Sequence, residues 1–491
     1  MNRGRYLLKN MSLFTISNIA SKLLVFLLVP FYTNVLTESD YGIADVMQAT
    51  LLLLVPLLSM NAGEAALRYG IELSDRRGSI LKSGLSHVIR SVFVVYIIDA
   101  FLILTVIPSE QRIYFILFAL LYTCSSLYEF MLLFTQGCEK VDIMIIGSVS
   151  CTAVTIAANL VLLLVLKLGL YGYLFSQMAA FIFSAALMLV LINGAGLMRS
   201  EEDKELKREM TVYGRGMLMY STASWANNAL DRYFILFMLG PVQNGLYGAA
   251  YKIPAILMVF QRIFAQSFQM SATKSYKEED SGRFFGELYE LYNAVMLTGC
   301  GMLLLMLRPL AAFMFQKGFF EAWVMVPPLL ISVIFGALEG YLGSICLAYK
   351  DGRSIGIATG AGALVNIILN YAAIRCFGAI GAAYATLISY FTMFAIAYAL
   401  TGRHLRLEVD IKRDALGYAL IMAAGVITML PGLSAGNAGG GRENAAALPG
   451  AGMAYAADAV IVLALMAIYR DQARLIVRRL KGKKAVAENK R

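Results

Sequence analysis

Runs of about twenty apolar residues, broken by short polar stretches, recur from one end of the 491-residue chain to the other. In lipid only helices or closed barrels satisfy their own backbone groups, and these runs are too long and too uniformly apolar for barrel strands. The pattern predicts an all-α polytopic membrane protein of about 14 transmembrane helices. The spans start near Met11, Tyr41, Ser91, Ile113, Met144, Tyr171, Gly216, Leu246, Tyr289, Trp323, Ile355, Ala379, Ala415 and Met453. The basic N-terminus, MNRGRYLLKN, leads into a run long enough to span, with no small-residue cleavage site after it. It is read as a retained first helix.

The polar breaks carry the orientation. If alternate loops are assigned to the cytoplasm from the N-terminus onward, 32 of the 42 lysines and arginines fall inside and six outside. That bias predicts both termini in the cytoplasm and an even number of spans. The four remaining cations, Lys22, Arg232, Lys252 and Arg262, lie within spans. The longest inside connector, MRSEEDKELKREMTVYG, has mixed charge at helical spacing and reads as a linker. The expected organisation is an N-terminal six-helix lobe (1–195), a cytoplasmic linker (196–213) and a second six-helix lobe (214–402). Helices 13 and 14 (403–470) and a basic cytoplasmic tail (471–491) follow. The Gly/Ala-rich string GLSAGNAGGGRENAAALPGAG reads as a flexible outside connector.

The two lobes share a repeat. An offset of 210 maps Glu129 onto Glu339 and Lys140 onto Lys350, and an offset of 209 maps Gly169 onto Gly378. Six spans separate the copies, so the repeat is parallel. In the first hairpin of each lobe two registers compete. An offset of 203 aligns LTESDYG with LGPVQNG, whereas 210 aligns Asn18 and Lys22 with Asn228 and Arg232. The turn register is preferred, because turn glycines have a backbone reason to recur.

Composition agrees: 59% of residues are hydrophobic and 15% charged, with a mean hydropathy of +0.68. Soluble domains carry about 25% charged residues. The net charge of +10 is explained by topology-setting loops rather than by nucleic acid. Six cysteines lie in or beside apolar runs without metal-ligand spacing, so buried, inert thiols are expected. No metal or cofactor is expected, and no Walker-type G-x-x-x-x-G-K-[ST] loop occurs.

The stretches SNIASKLLVFLLVPFYTNVLTESDYG, NNALDRYFILFMLGPVQNGLYGAAYKI and NIILNYAAIRCFGAIGAAYATLISY resemble the multidrug/oligosaccharidyl-lipid/polysaccharide exporter superfamily. Within it, the chain looks most like the polysaccharide transporter branch, the Wzx-type oligosaccharide flippases. The resemblance covers nearly the whole chain through loose patterns. It implies two six-helix lobes forming a V around a central cavity, in the bacterial cytoplasmic membrane. It implies alternating access that carries an oligosaccharide linked to undecaprenyl diphosphate between leaflets, for cell-surface polysaccharide biosynthesis. The extra helices 13 and 14 suit the 14-span members, which include lipid II flippases.

A diphosphate cargo would call for intramembrane cations, and sugars for amides. The candidates are Lys22 with Asn18 in span 1, Arg232 with Asn228 in span 7, and Lys252, Arg262 and Gln266 in span 8. Three of them, Lys252, Arg262 and Arg232, also have a structural reading. Lys252 could snorkel to the interface, and Arg232 could pair with an acid on a neighbouring helix. Asp231 lies about 100° around the helix from Arg232, so no pairing between them is expected. Glu64 and Arg68, four residues apart, suggest a local salt bridge. Asp99, Glu129 and Glu339 are candidates for coupling to H+ or Na+, with structural pairing as their alternative. A cation-coupled multidrug antiporter of the same fold would want acids in the cavity. A membrane-embedded enzyme would want longer outside loops with acids or histidines, and the two histidines, His87 and His404, are in inside loops.

Overall fold

A computed structural model describes residue 26 and residues 28–201, 203–275, 281–349, 351–435 and 451–470. Among these residues every regular element is a helix. Ten are long and apolar enough to cross a membrane, and Pro254–Ala265 and Gly452–Ile468 form two shorter apolar helices. Most of the expected first span, with Asn18 and Lys22, lies outside the described residues, as do the basic tail and most of the Gly/Ala-rich connector. The chain divides into two compact units, Met1–Tyr233 and Phe234–Arg491.

The first unit contains α1 (Val29–Val35), α2 (Glu38–Leu58), α3 (Ala62–Glu72), α4 (Arg77–Thr105), α5 (Arg112–Gly137), α6 (Val141–Asn159) and α7 (Gly169–Leu191). It ends within α8 (Lys204–Leu239), a continuous 36-residue helix in which the boundary between units falls. Two apolar clusters hold this unit together. One gathers Ile80, Leu81, Phe130, Phe134 and Met188, the other Leu51, Leu117, Leu121, Tyr122 and Leu174. The far side of α4 leaves Phe93, Ile97, Phe101 and Leu104 exposed, as a lipid-facing surface would.

The second unit contains α9 (Pro241–Ala250), α10 (Pro254–Ser275), α11 (Ser281–Leu305), α12 (Leu307–Met314), α13 (Val326–Ala348), α14 (Gly352–Phe377), α15 (Ala379–Thr401), α16 (Ile411–Ala435) and α17 (Ala451–Ile468). Its core surrounds α13, whose Ile334, Phe335, Leu338 and Tyr341 are almost wholly buried with Phe285 and Leu465. At the end of α13, Asp351 caps α14 by accepting from Ser354 N at 3.0 Å, and His404 Nε2 lies 2.7 Å from its Oδ2.

The turn register of the repeat fits the helix starts. Helix α2 begins at Glu38 behind the capping side chain of Thr37, and α9 begins at Pro241 behind Gly240, an offset of 203. Gly240 has φ +89°, which a residue with a Cβ rarely adopts, so glycine is needed there. In this register Arg232 corresponds to Val29 and not to Lys22. Three local expectations need correction. Arg68 pairs with Glu72 at 3.1 Å and not with Glu64. Arg308, which the loop assignment puts among the six outside cations, is buried within the helix Leu307–Met314. Five cysteines are buried, but Cys376 at the end of α14 is exposed.

Candidate functional site

Within the first unit, α8 lies along α2 through a seam of polar contacts. At one end Asn61, in a left-handed conformation just beyond the end of α2, donates from Nδ2 to the Gly214 carbonyl at 3.2 Å. The Asn61 Oδ1 accepts from Ser221 Oγ at 3.2 Å. A Cβ on Gly214 would sit 1.9 Å from the Met60 carbonyl oxygen, so only glycine permits this approach. Further along, Trp225 Nε1 donates to the Ala49 carbonyl at 2.7 Å. The Thr50 hydroxyl donates to Val46 O at 2.7 Å, so at its 2.5 Å contact with Tyr233 it is the acceptor.

At the other end the seam carries charge. Arg232 Nε donates to Asp45 Oδ2 at 2.8 Å, and Nη1 donates to the Asn228 carbonyl at 2.8 Å and to Asp231 Oδ1 at 3.3 Å. Asp231 Oδ1 also accepts from the backbone N–H of Arg232 at 2.9 Å. The side chains of Arg232, Asp45 and Asp231 are only 13%, 11% and 5% exposed. Tyr41, buried one turn before Asp45, is in electrostatic reach of both Asp45 and Arg232. Among the described residues, one guanidinium thus faces two carboxylates.

This arrangement corrects one expectation and supplies one missing residue. Asp231 does meet Arg232, because the long guanidinium arm folds back along the helix, a reach that backbone angle alone does not capture. Asp45 is the residue that sequence reasoning misses. Its signal is depth: it lies seven residues after the start of α2 and Arg232 nine before the start of α9, comparable distances from matching turns.

The other expected residues are not gathered here. Asn18 and Lys22 lie outside the described residues, as does the side chain of Gln266. Lys252, half-buried and engaged, sits in the break between α9 and α10, and Arg262 is exposed on α10, both in the second unit. Among the acids, Asp99 on α4 is buried, and its Oδ2 has no hydrogen-bond partner among the described residues. Glu129 on α5 and Glu339 on α13 are half-buried and form no ion pair among the described residues. Asn159 bonds Tyr32 and Ser176, each at 2.7 Å, and Asn370 bonds Asn366 at 2.9 Å, so these amides tie helices or turns together. Among the described residues no group of three or more His, Cys, Asp or Glu could hold a metal ion.

The sequence profile of a family described as "Polysaccharide biosynthesis protein" matches residues 7–273, more than half of the chain. The chain belongs to this polysaccharide biosynthesis protein family. Solved structures share its fold. An inward closed conformation of the lipid II flippase MurJ matches at a TM-score of 0.66 and 14% identity, covering 94% of this chain and 99% of that one. An inward-facing multidrug resistance MATE family transporter of the MOP superfamily matches at 0.63 and 10%, covering 79% and 97%. A mutant of the Vibrio cholerae MATE transporter VcmN matches at 0.55 and 12%, covering 82% and 98%. No curated protein matches. This member of the polysaccharide biosynthesis protein family therefore has the fold of membrane flippases and transporters.

Proposed function

We propose that this protein is a flippase that moves a polyprenyl-diphosphate-linked oligosaccharide across the cytoplasmic membrane by alternating access. The family match carries this reading, since polysaccharide biosynthesis requires lipid-linked sugars to change leaflet. In this proposal Arg232 is a cation with exchangeable partners. It is held by Asp45 and Asp231 in the present state and releases them for the diphosphate when the carboxylates are neutralised. Asp45 joins Asp99, Glu129 and Glu339 as a candidate for coupling that exchange to H+ or Na+. Lys22, Asn18, Asn228, Lys252, Arg262 and Gln266 remain candidates for the cargo's phosphates and sugars.

The test is export of surface glycan in cells carrying Arg232→Ala at normal membrane levels. The expected result is a loss of at least about a hundredfold, as for removal of a charged ligand. Normal export would sink the role of Arg232.

A second reading, a cation-coupled multidrug antiporter, draws on one observation: two buried carboxylates, Asp45 and Asp231, lie at one arginine within the fold shared with MATE transporters. Proteoliposomes discriminate the two. Ion-driven efflux of a cationic dye, with no movement of lipid-linked glycan, would establish the antiporter instead.

A further inference from the structure

A concentration of positive charge is found elsewhere in the first unit. A cavity of about 470 Å³ opens between the end of α2, the middle of α4 and the first three turns of α8. It is lined by Arg90 from α4 and by Lys204, Lys207, Arg208 and Arg215 from α8. No carboxylate lies within ion-pair distance of Arg90, Lys204, Arg208 or Arg215 among the described residues, although Asp203 is adjacent in sequence and pairs instead with Arg76. Its floor is His87, buried, with Nε2 2.9 Å from Thr211 Oγ1. The Thr211 hydroxyl donates to Lys207 O at 2.7 Å, so it accepts from His87 Nε2–H. Four such cations around one cavity repel one another unless an anion is shared among them.

Charges that only set topology need neither a cavity nor convergence from two helices. Nor does a free anion explain the remaining wall, formed by Leu58, Met60 and Val94. From Arg90 an apolar track, Val94, Ile97 and Phe101, continues along one exposed face of α4 at helical spacing. Phosphate chemistry at one end and hydrocarbon along the other describes an amphiphile with a multiply charged head. We propose that this cavity binds the diphosphate of the polyprenyl carrier, as a loading site separate from Arg232. The proposal rests on the flippase reading and names where its cargo first docks. Arginine supplies planar forks for phosphate oxygens, and lysine supplies point charges.

The test uses the purified full-length protein and radiolabelled undecaprenyl diphosphate, with phosphatidylglycerol as competitor. Arg90→Gln, Lys204→Gln, Arg208→Gln and Arg215→Gln are combined, and thermal unfolding checks that the fold is retained. The expected result is binding weakened at least about tenfold, with a shallower salt dependence than wild type. A roughly hundredfold excess of phosphatidylglycerol should fail to displace the diphosphate lipid. Unchanged affinity in the quadruple variant would overturn the proposal, and so would equal competition by phosphatidylglycerol, which would mark a site for bulk anionic lipid. Glycan export by a protein whose quadruple variant binds normally removes the loading site and leaves the flippase. Weakened binding in a protein that moves no glycan removes the flippase and leaves the site.

Discussion

Two arginines, one in each unit, show different ways of keeping a cation in an apolar setting. Arg232 is held by carboxylates: Asp45 at 2.8 Å and Asp231 at 3.3 Å. Arg308 on α12 is more deeply buried, at 6% exposure, yet no carboxylate among the described residues reaches ion-pair distance. Its guanidinium lies over Trp323 at 5.2 Å and Tyr455 at 5.9 Å, and Nη2 donates to the Thr428 carbonyl at 3.3 Å. Among the described residues its Nη1 has no hydrogen-bond partner, and neither does Oδ1 of Asp458, whose other oxygen bonds Thr428 at 2.9 Å. Ring faces cannot be protonated away, so Arg308 is fixed by shape, whereas the proposed flippase mechanism treats the carboxylates around Arg232 as exchangeable partners.

The largest expected contrast is in transport. Arg232→Ala should abolish export, while Arg308→Ala should leave export per molecule within about threefold of wild type, because Arg308 touches no cargo in this proposal. Equal losses at equal membrane levels would erase the distinction. Stability should separate them next. Asp45→Ala leaves Arg232 short of its nearest acid and should cost about 3 kcal/mol in detergent unfolding. Arg308→Met replaces a cation with an orphaned N–H by a side chain of similar length, and should change stability by less than about 1 kcal/mol. A large loss in Arg308→Met would mean that Asp458 and Arg308 act as a pair.

The smallest expected effect lies outside the spans. Hydrogen bonds from Ser354 and His404 hold the Asp351 carboxyl well below the usual carboxylate range. A depressed carboxylate stabilises the fold above its unfolded pKa and loses that contribution as pH falls through the folded value. Asp351→Ala should therefore lower Tm by about 2 °C, constant between about pH 5 and 8 and shrinking only in stronger acid. A deficit that had already disappeared at about pH 5 would show an ordinary carboxylate at Asp351 and overturn this expectation.

Helices were legible because apolar runs of spanning length have few alternatives in lipid, and the turns because Gly240, Gly378 and Thr37 mark breaks through backbone and capping chemistry. The number fourteen stays an expectation, since most of the first span lies outside the described residues. Arg232 stood out as a charge in an apolar run. Its partner did not, because Asp45 is 187 positions away and nothing local records that distance. The basic cavity was hidden for the opposite reason. Arg90, Lys204, Lys207, Arg208 and Arg215 were all visible, but each was already accounted for by loop charge. Only the convergence of α4 and α8 gives them a joint meaning.

The bond between Asn61 and Gly214 also sets a schedule. These residues are 153 positions apart. At roughly 5–20 residues per second, synthesis separates them by roughly 8–30 s. Throughout that interval the bend at Met60–Asn61 must persist, or wait unmade, without the Gly214 carbonyl. The last step in shaping the end of α2 is thus postponed until the first turns of α8 have been made. A chain cut short before Gly214 would carry that joint unlatched, open to quality-control proteases.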